Sequence, residues 1–302
     1  MLQPPGFYQC TLTTGLGTIV YYTAADPTIS ADPEVEATDW IDRRTPLVFL
    51  HGFGGGSSAY EWSLVYPAFA AQYRVLAPDL LGWGRSHHLT RSYQIQDYLT
   101  TITEFLEQLC PAGAVVLASS LTAGFVVRLA ITRPELFKQL ILVAPSGLAD
   151  FDQPYKNFFA QLVSLPLVDR LVYGTLIATT TGIRSFLENR QFARASRVSQ
   201  EMVDAYLASA LQPNAEYSAL SFVRGDLCFD LAPFMPQITV PTLVIWGRLA
   251  QFTPLELGQR LTDLNSRSIQ PLVVIRGVGL TPQLELPAVM IGLITQQLAT
   301  LK

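Results

Sequence analysis

Histidine is scarce in this chain and stops early: His51, His87 and His88 are the only three, and none follows position 88 of 302. That excludes a histidine-rich metal site and leaves the C-terminal two thirds without an imidazole base. Cysteine is equally thin. Cys10, Cys110 and Cys228 are widely spaced, odd in number and part of no CxxC or Cys/His arrangement, which excludes a zinc framework and a disulfide scaffold. They read as reduced core cysteines in a cytosol-like compartment, and no motif implies a metal or a cofactor. There is no Lys/Arg-rich run, and the net charge is −4, so nothing electrostatic points to nucleic acid. The opening residues, MLQPPGFYQC, lack the basic and apolar regions of a signal peptide, in keeping with a cytoplasmic location. Only 15% of residues are charged and 49% are hydrophobic, enough for a sizeable core. The most apolar segment outside the strands, residues 158–183, carries Asp169 and Arg170 in its interior, which argues against a membrane span. Helices lining an apolar pocket are the better reading, with reversible contact to a membrane surface as a lesser one.

What is present is a rhythm of short apolar runs. YQCTLTT and GTIVYYT, residues 8–14 and 17–23, read as a hairpin turning at Gly15-Leu16. Residues 24–46 follow with six acidic residues and little apolar periodicity; this is read as a solvated loop, with an acidic docking surface as the functional alternative. From Pro46 the runs PLVFLHG, YRVLAPD, AVVLASS, KQLILVAPSG, PTLVIWG and QPLVVIRG have the texture of buried parallel strands. Between them lie helical patterns. In YQIQDYLTTITEFLEQL, residues Ile95, Tyr98, Leu99, Ile102, Phe105, Leu106 and Leu109 share one face. Alternating strands and helices predict an α/β fold with a mostly parallel sheet covered on both faces. One interval breaks the alternation: residues 148–237 show helical patterns without a strand, including a helix N-capped by Ser199. It reads as a helical cap inserted into a core of residues 1–147 and 238–302, roofing the carboxyl edge of the sheet over an apolar pocket.

The stretch VVLASSLTAGFVV, residues 115–127, sets two serines at a strand-to-helix bend, the position of a nucleophile elbow. The bend is tight, so the residues two before and two after the nucleophile must be small. Ser120 has Ala118 and Thr122 there; Ser119 would have Leu117 and Leu121. Ser120 is therefore the candidate, although ASSLT departs from GxSxG at both ends and Thr122 is bulky. Upstream, LHGFGG (residues 50–55) occupies the place of an HGxG loop containing Gly52 and Gly54. It would present the Phe53 N–H to an oxyanion, with the Leu121 N–H as second donor.

With DLLGWGRS (residues 79–86), these features in this order resemble the α/β-hydrolase superfamily, from about Thr18 to the C-terminus. The resemblance implies a triad acid within a WGxxDxxxP pattern and a triad histidine in a GHxPQxExP-like loop. This chain reads WGRLAQFTP and GLTPQLELP, which places Ala250 at the acid position and Leu280 at the histidine position. Both side chains are absent from a frame that otherwise matches at Trp246, Gly247, Pro254, Gly279, Pro282, Glu285 and Pro287. All three histidines precede Ser120, so no shift of register supplies a base from downstream.

Of the alternatives, His51 heads the oxyanion loop, where the family's histidine orders backbone. His87 or His88 could be a recruited base. Asp79 is expected to tie its own turn, Glu285 to be structural, and Asp150 and Asp152 to lie on the surface beside the cap linker. The expectation is a non-hydrolytic binder, or very weak esterase, for a small apolar acid or ester. Plant gibberellin receptors, esterase-like proteins with an aliphatic residue in place of the base, are a precedent in the superfamily. The rivals are an active serine hydrolase or acyl transferase with a recruited base, faintly like the branch acting on chlorophyll-type prenyl esters, and a partner-binding scaffold using residues 24–46.

Overall fold

The computed structural model describes residues 3–24, 44–153, 155 and 172–301. The acidic stretch of 24–46 and the first part of the apolar segment 158–183 fall largely outside them. Eight strands form one sheet in the order β1-β2-β4-β3-β5-β6-β7-β8. They are β1 (Tyr8–Thr14), β2 (Gly17–Thr23), β3 (Pro46–Leu50), β4 (Arg74–Pro78), β5 (Ala114–Ser119), β6 (Phe137–Val143), β7 (Thr242–Gly247) and β8 (Val273–Ile275). The β1–β2 hairpin joins antiparallel through β2 and β4, and every pairing from β4 to β8 is parallel.

The apolar runs are continuous because successive side chains point to opposite faces and both faces are covered. In β3, Val48 and Leu50 enter one core while Leu47 and Phe49 enter the other. In β5, Val116 and Ala118 oppose Val115 and Leu117, and β6 and β7 repeat the division. The first core is closed by α1 (Ile95–Leu109), through Tyr98, Ile102, Phe105 and Leu106, and by α2 (Ser120–Thr132), through Phe125, Val126 and Leu129. The second is closed by Trp62, Tyr66 and Phe69 from short 3-10 turns, with Met290, Ile294 and Leu298 from the C-terminal helix Pro287–Leu298. The helical face predicted for residues 95–109 is the buried one, with Asp97 and Thr101 buried as well. Asp97 accepts from Gln94 N–H at 2.8 Å, so the acid caps its own helix.

The run QPLVVIRG contributes less strand than its texture suggests: only Val273–Ile275 pair. It is the last strand, where Pro271 offers no N–H and a single neighbour provides the ladder.

Between β6 and β7 the described elements include α3 (Thr180–Phe186), α4 (Gln200–Ala210) and α5 (Ala215–Arg224). Thr179 and Ser199 cap the first two, their hydroxyls accepting from Gly182 N–H at 3.0 Å and Met202 N–H at 3.2 Å. Gly225, at φ +86°, ends the third in the left-handed conformation that glycine adopts most readily. These helices lie against loops that leave the carboxyl ends of β3 and β4. Ser209 Oγ donates to Ser57 O and accepts from Gly84 N–H, both at 3.0 Å, and Ser218 Oγ donates to Gly82 O at 2.5 Å. Past β7 come α6 (Leu255–Asp263), α7 (Pro282–Glu285) and α8 (Pro287–Leu298). Among the described residues no helix is long and apolar enough to cross a membrane.

Candidate functional site

Ser120 begins α2 directly after β5 and holds φ at +55°, a left-handed conformation that costs a non-glycine residue of order 1–3 kcal/mol. The turn survives because fully buried chain on both sides over-determines it: Leu117, Ala118, Leu121 and Thr122 are completely enclosed. Thr122, the bulky member of the elbow, donates from Oγ1 to the carbonyl of His51 at 2.7 Å. Its extra volume is thus a tie from the elbow to the loop after β3. Ser120 is 8% exposed, and among the described residues no group hydrogen-bonds its hydroxyl.

The loop after β3 approaches the elbow closely. A side chain at Gly52 would sit 3.3 Å from Ser120 Cβ and 3.2 Å from Ser119 Oγ. His51 is fully buried; its Nε2 accepts from Leu80 N–H at 3.0 Å, so the ring proton is on Nδ1, which donates to Gly52 O at 2.7 Å. Burial pushes this imidazole down to about 4, and neither nitrogen is free to serve as a base. Among the described residues the N–H groups of Phe53 and Leu121 have no acceptor.

One carboxylate organises this loop. Glu61 is buried at 2% exposure and accepts three hydrogen bonds: Gly52 N–H at 2.9 Å, Ser57 Oγ at 2.6 Å and Tyr206 Oη at 3.3 Å. Tyr206 in turn accepts from Gln191 Nε2 at 2.8 Å, and the carbonyl of Gln191 takes the Leu280 N–H at 2.8 Å. A connected set of bonds therefore runs from the β3 loop, through residues between β6 and β7, to the loop after β8. Burial, opposed by these donors, raises the Glu61 pKa above the usual carboxylate range. Sequence reasoning gave Glu61 no part in this. Its signal was a lone acid in SSAYEWSLVY, a stretch otherwise uncharged and rich in apolar residues.

Ala250 and Leu280 are both buried, on adjoining loops beyond β7 and β8. Leu249 N–H donates to Val278 O at 2.9 Å, and a side chain at Gly247 would lie 1.8 Å from Gly279 O. Glu285 pins the second loop, accepting from Gly279 N–H at 2.5 Å and Ala193 N–H at 3.0 Å and pairing with Arg197 at 2.9 Å.

The remaining candidates sit elsewhere. His87 is exposed and packs on Gly17 at the start of β2, its N–H bonded to Thr18 O at 2.8 Å. Three strand spacings separate β2 from β5, about 14 Å. His88 turns back on its own loop, Nε2 lying 3.2 Å from Gly84 O. The alternative in which one of them serves Ser120 as a recruited base gains no support, since the contacts of each among the described residues are to the GWGRS loop or the hairpin beside it. Asp150 is also corrected: it is buried, accepting from Ser146 Oγ at 2.5 Å, Gly147 N–H at 2.9 Å and Leu231 N–H at 3.0 Å. Asp152 is exposed as expected. Asp79 does more than hold its turn: it accepts from Ala59 N–H at 2.8 Å, Arg85 N–H at 2.9 Å and Tyr22 Oη at 3.2 Å, and burial pushes its carboxyl up to about 6.

The roof over Ser120 is close. A side chain at Gly56 would lie 2.1 Å from Tyr206 O, one at Gly55 2.9 Å from Ile177, and one at Gly54 3.2 Å from the Phe186 ring. A groove of about 590 Å³ opens instead at the start of α1, lined by Tyr93, Gln94, Arg128 and Asp226, and a void lies among Ile19, Leu50, Leu81 and Phe105. Neither is lined by Ser120. Among the described residues no cluster of His, Cys, Asp and Glu could hold a metal ion.

A family described as alpha/beta hydrolase fold matches residues 45–279. The 2-hydroxymuconate semialdehyde hydrolase of Pseudomonas sp. (strain CF600) is 27% identical over 235 residues, 74% of this chain and 76% of that protein. The Karrikin insensitive 2 receptor B of Petunia hybrida is 27% identical over 237 residues, 76% of this chain and 83% of that one. A crystal structure of a serine hydrolase involved in carbazole degradation superposes with a TM-score of 0.75 at 18% identity, covering 97% of this chain and 99% of the other.

Proposed function

The chain belongs to the α/β hydrolase fold family, and on that premise we propose that it binds a small apolar acid or ester without turning it over by triad chemistry. Ser120 holds the nucleophile position, and Ala250 and Leu280 hold those of the acid and the histidine. Phe53 N–H and Leu121 N–H, carried by the Gly52–Gly54 loop and the start of α2, are the donors to a ligand carbonyl or carboxylate. Residues 148–237 act as the cap on a core formed by 1–147 and 238–302.

The observation that carries this reading is Ser120 without a proton acceptor. No histidine follows it in the chain, and among the described residues no group bonds its hydroxyl. His51, the histidine of the neighbouring loop, has both ring nitrogens engaged. A serine hydroxyl needs an adjacent base to act as a nucleophile at neutral pH. Removing the base from a Ser/His/Asp triad costs about a million-fold in turnover, leaving roughly 10³–10⁴ over water from binding and the oxyanion donors. Aliphatic groups at 250 and 280 also avoid burying a polar pair that would need partners. One relative is described as a hydrolase and another as a receptor, and the binding reading is compatible with both.

The test uses an activated ester such as a p-nitrophenyl alkanoate, followed by mass spectrometry of Ser120. Binding with at most a single slow acylation is expected. Sustained turnover abolished by Ser120→Ala would overturn the reading. The double substitution Ala250→Asp with Leu280→His rebuilds the expected triad, and esterase activity in it alone would support a relay that is missing rather than hidden.

A further inference from the structure

We propose that the rim formed by the loop after β7, the end of β8 and residues 190–194 docks on an anionic phospholipid surface. This is a property of the rim and is independent of what occupies the Ser120 site.

The apolar part is specific in place. Leu249 and Phe252 are 51% and 45% exposed and flank buried Ala250 on the same loop. Phe252 is not isolated: its ring centroid is 6.2 Å from that of Phe186, and Arg190 lies over it at 5.8 Å. That links the β7 loop to α3 and the residues after it. Phe186 itself rests on Gly54, so the exposed ring is one step from the loop that faces Ser120.

The charged part surrounds it. Arg190, Arg194, Arg248 and Arg276 are all exposed, and among the described residues none has a carboxylate partner. The pairing of Gly247 with Ile275 brings Arg248 and Arg276 off neighbouring strands at the same level. Glu285, the acid nearest the centre of the rim, is buried and held by Arg197. Glu188 is paired with Arg184, and Glu256 at the start of α6 is the exposed acid at the margin. The chain as a whole carries −4, so this cationic edge runs against its overall charge. Exposed aromatic and aliphatic tips ringed by unpaired guanidinium groups fit a surface with an apolar interior and phosphate at its face. Arginine, which binds phosphate through two parallel N–H groups, suits that role better than a compact ammonium would.

The test is flotation of the full chain with unilamellar vesicles of phosphatidylcholine alone, or with added phosphatidylserine. The wild type is expected to float with the anionic vesicles, weakly with the zwitterionic ones, and less as salt is raised. Leu249→Ser with Phe252→Ser, and separately Arg190→Gln with Arg248→Gln, should each lower partitioning about tenfold or more. Leu211→Ser, at an exposed leucine that follows α4 and is not part of the rim (62% exposed), should leave it unchanged. Failure of the wild type to float with anionic vesicles would overturn the proposal, as would rim variants that float like the wild type or a Leu211 variant that loses as much as they do. Self-association lost in the rim variants, with no vesicle binding, would assign the face to a second copy and likewise overturn it. Ser120→Ala is expected to float normally, which separates this outcome from that of the ligand site.

Discussion

Replacing Glu61 probes the organisation of the site most directly. Its side chain accepts from Gly52, Ser57 and Tyr206, and among the described residues it has no cationic partner to offset burial of the charge. Glu61→Ala leaves up to three buried donors unmet, each costing about 1–3 kcal/mol, so a loss of about 4–6 kcal/mol is expected after the two hydroxyls reorient. Glu61→Gln keeps the volume but sets an amide N–H₂ against a former donor, and about 2–3 kcal/mol is expected. An unfolding entropy of about 2 cal/mol/K per residue over this length converts 1 kcal/mol to about 1.6 °C. Differential scanning calorimetry should then show falls of about 8 °C for alanine and about 4 °C for glutamine.

The pH dependence adds a sign. Burial raises the folded pKa of Glu61 above its usual value. A carboxyl protonated more readily in the fold contributes stability below its unfolded pKa, and that contribution is lost as pH rises through the folded value. The gap between wild type and Glu61→Gln should therefore widen as pH falls towards 5. A variant indistinguishable from wild type, or a gap that narrows in acid, would refute this account of the network.

Other expectations follow from the same geometry. Asp79, raised to about 6 from 3.8, contributes stability that is present below pH 4 and lost as pH rises through 6. Stability measured against Asp79→Asn should fall by roughly 3 kcal/mol across that window. His51, lowered to about 4 from 6.5, acts in the opposite sense, its contribution being lost as pH falls below 6.5. Its imidazole NMR shifts should stay at their neutral values from pH 7 to pH 5. Ser120→Gly removes a left-handed non-glycine residue and should raise the thermal midpoint by 1–2 °C, about 1 kcal/mol, in calorimetry. Gly56→Ala, at φ +87° with a Cβ 2.1 Å from Tyr206 O, should cost about 3 kcal/mol or more and quicken hydrogen exchange in α4.

Most of the sheet was legible because its signal is local. PLVFL, RVLAP, AVVLAS and TLVIWG are short apolar runs, and the covering of both faces that such runs require is what the paired cores provide. The face of α1 follows from spacing alone, and the cap at Ser199 is short-range chemistry. Glu61 was not legible as a keystone, because its partners come from residues 52, 57 and 206. A carboxylate flanked by apolar residues announces burial but not what satisfies it. Thr122 looked like an overfilled elbow until the carbonyl of His51 was beside it. Whether His87 or His88 reaches Ser120 stayed open in the sequence, because the chain gives their order and not the strands lying between.

Sequence alone determined that residue 120 is a serine, that residues 250 and 280 are alanine and leucine, and that no histidine follows Ser120. Those are facts of identity and order, which folding cannot alter. Tertiary structure decided the rest: that Asp150 is buried, that Glu61 joins the β3 loop to the helices between β6 and β7, and that Leu249 and Phe252 face outward among arginines with no carboxylate partner among the described residues. Each depends on which distant groups meet in a low-dielectric interior or remain in water, and chain order alone does not specify those meetings.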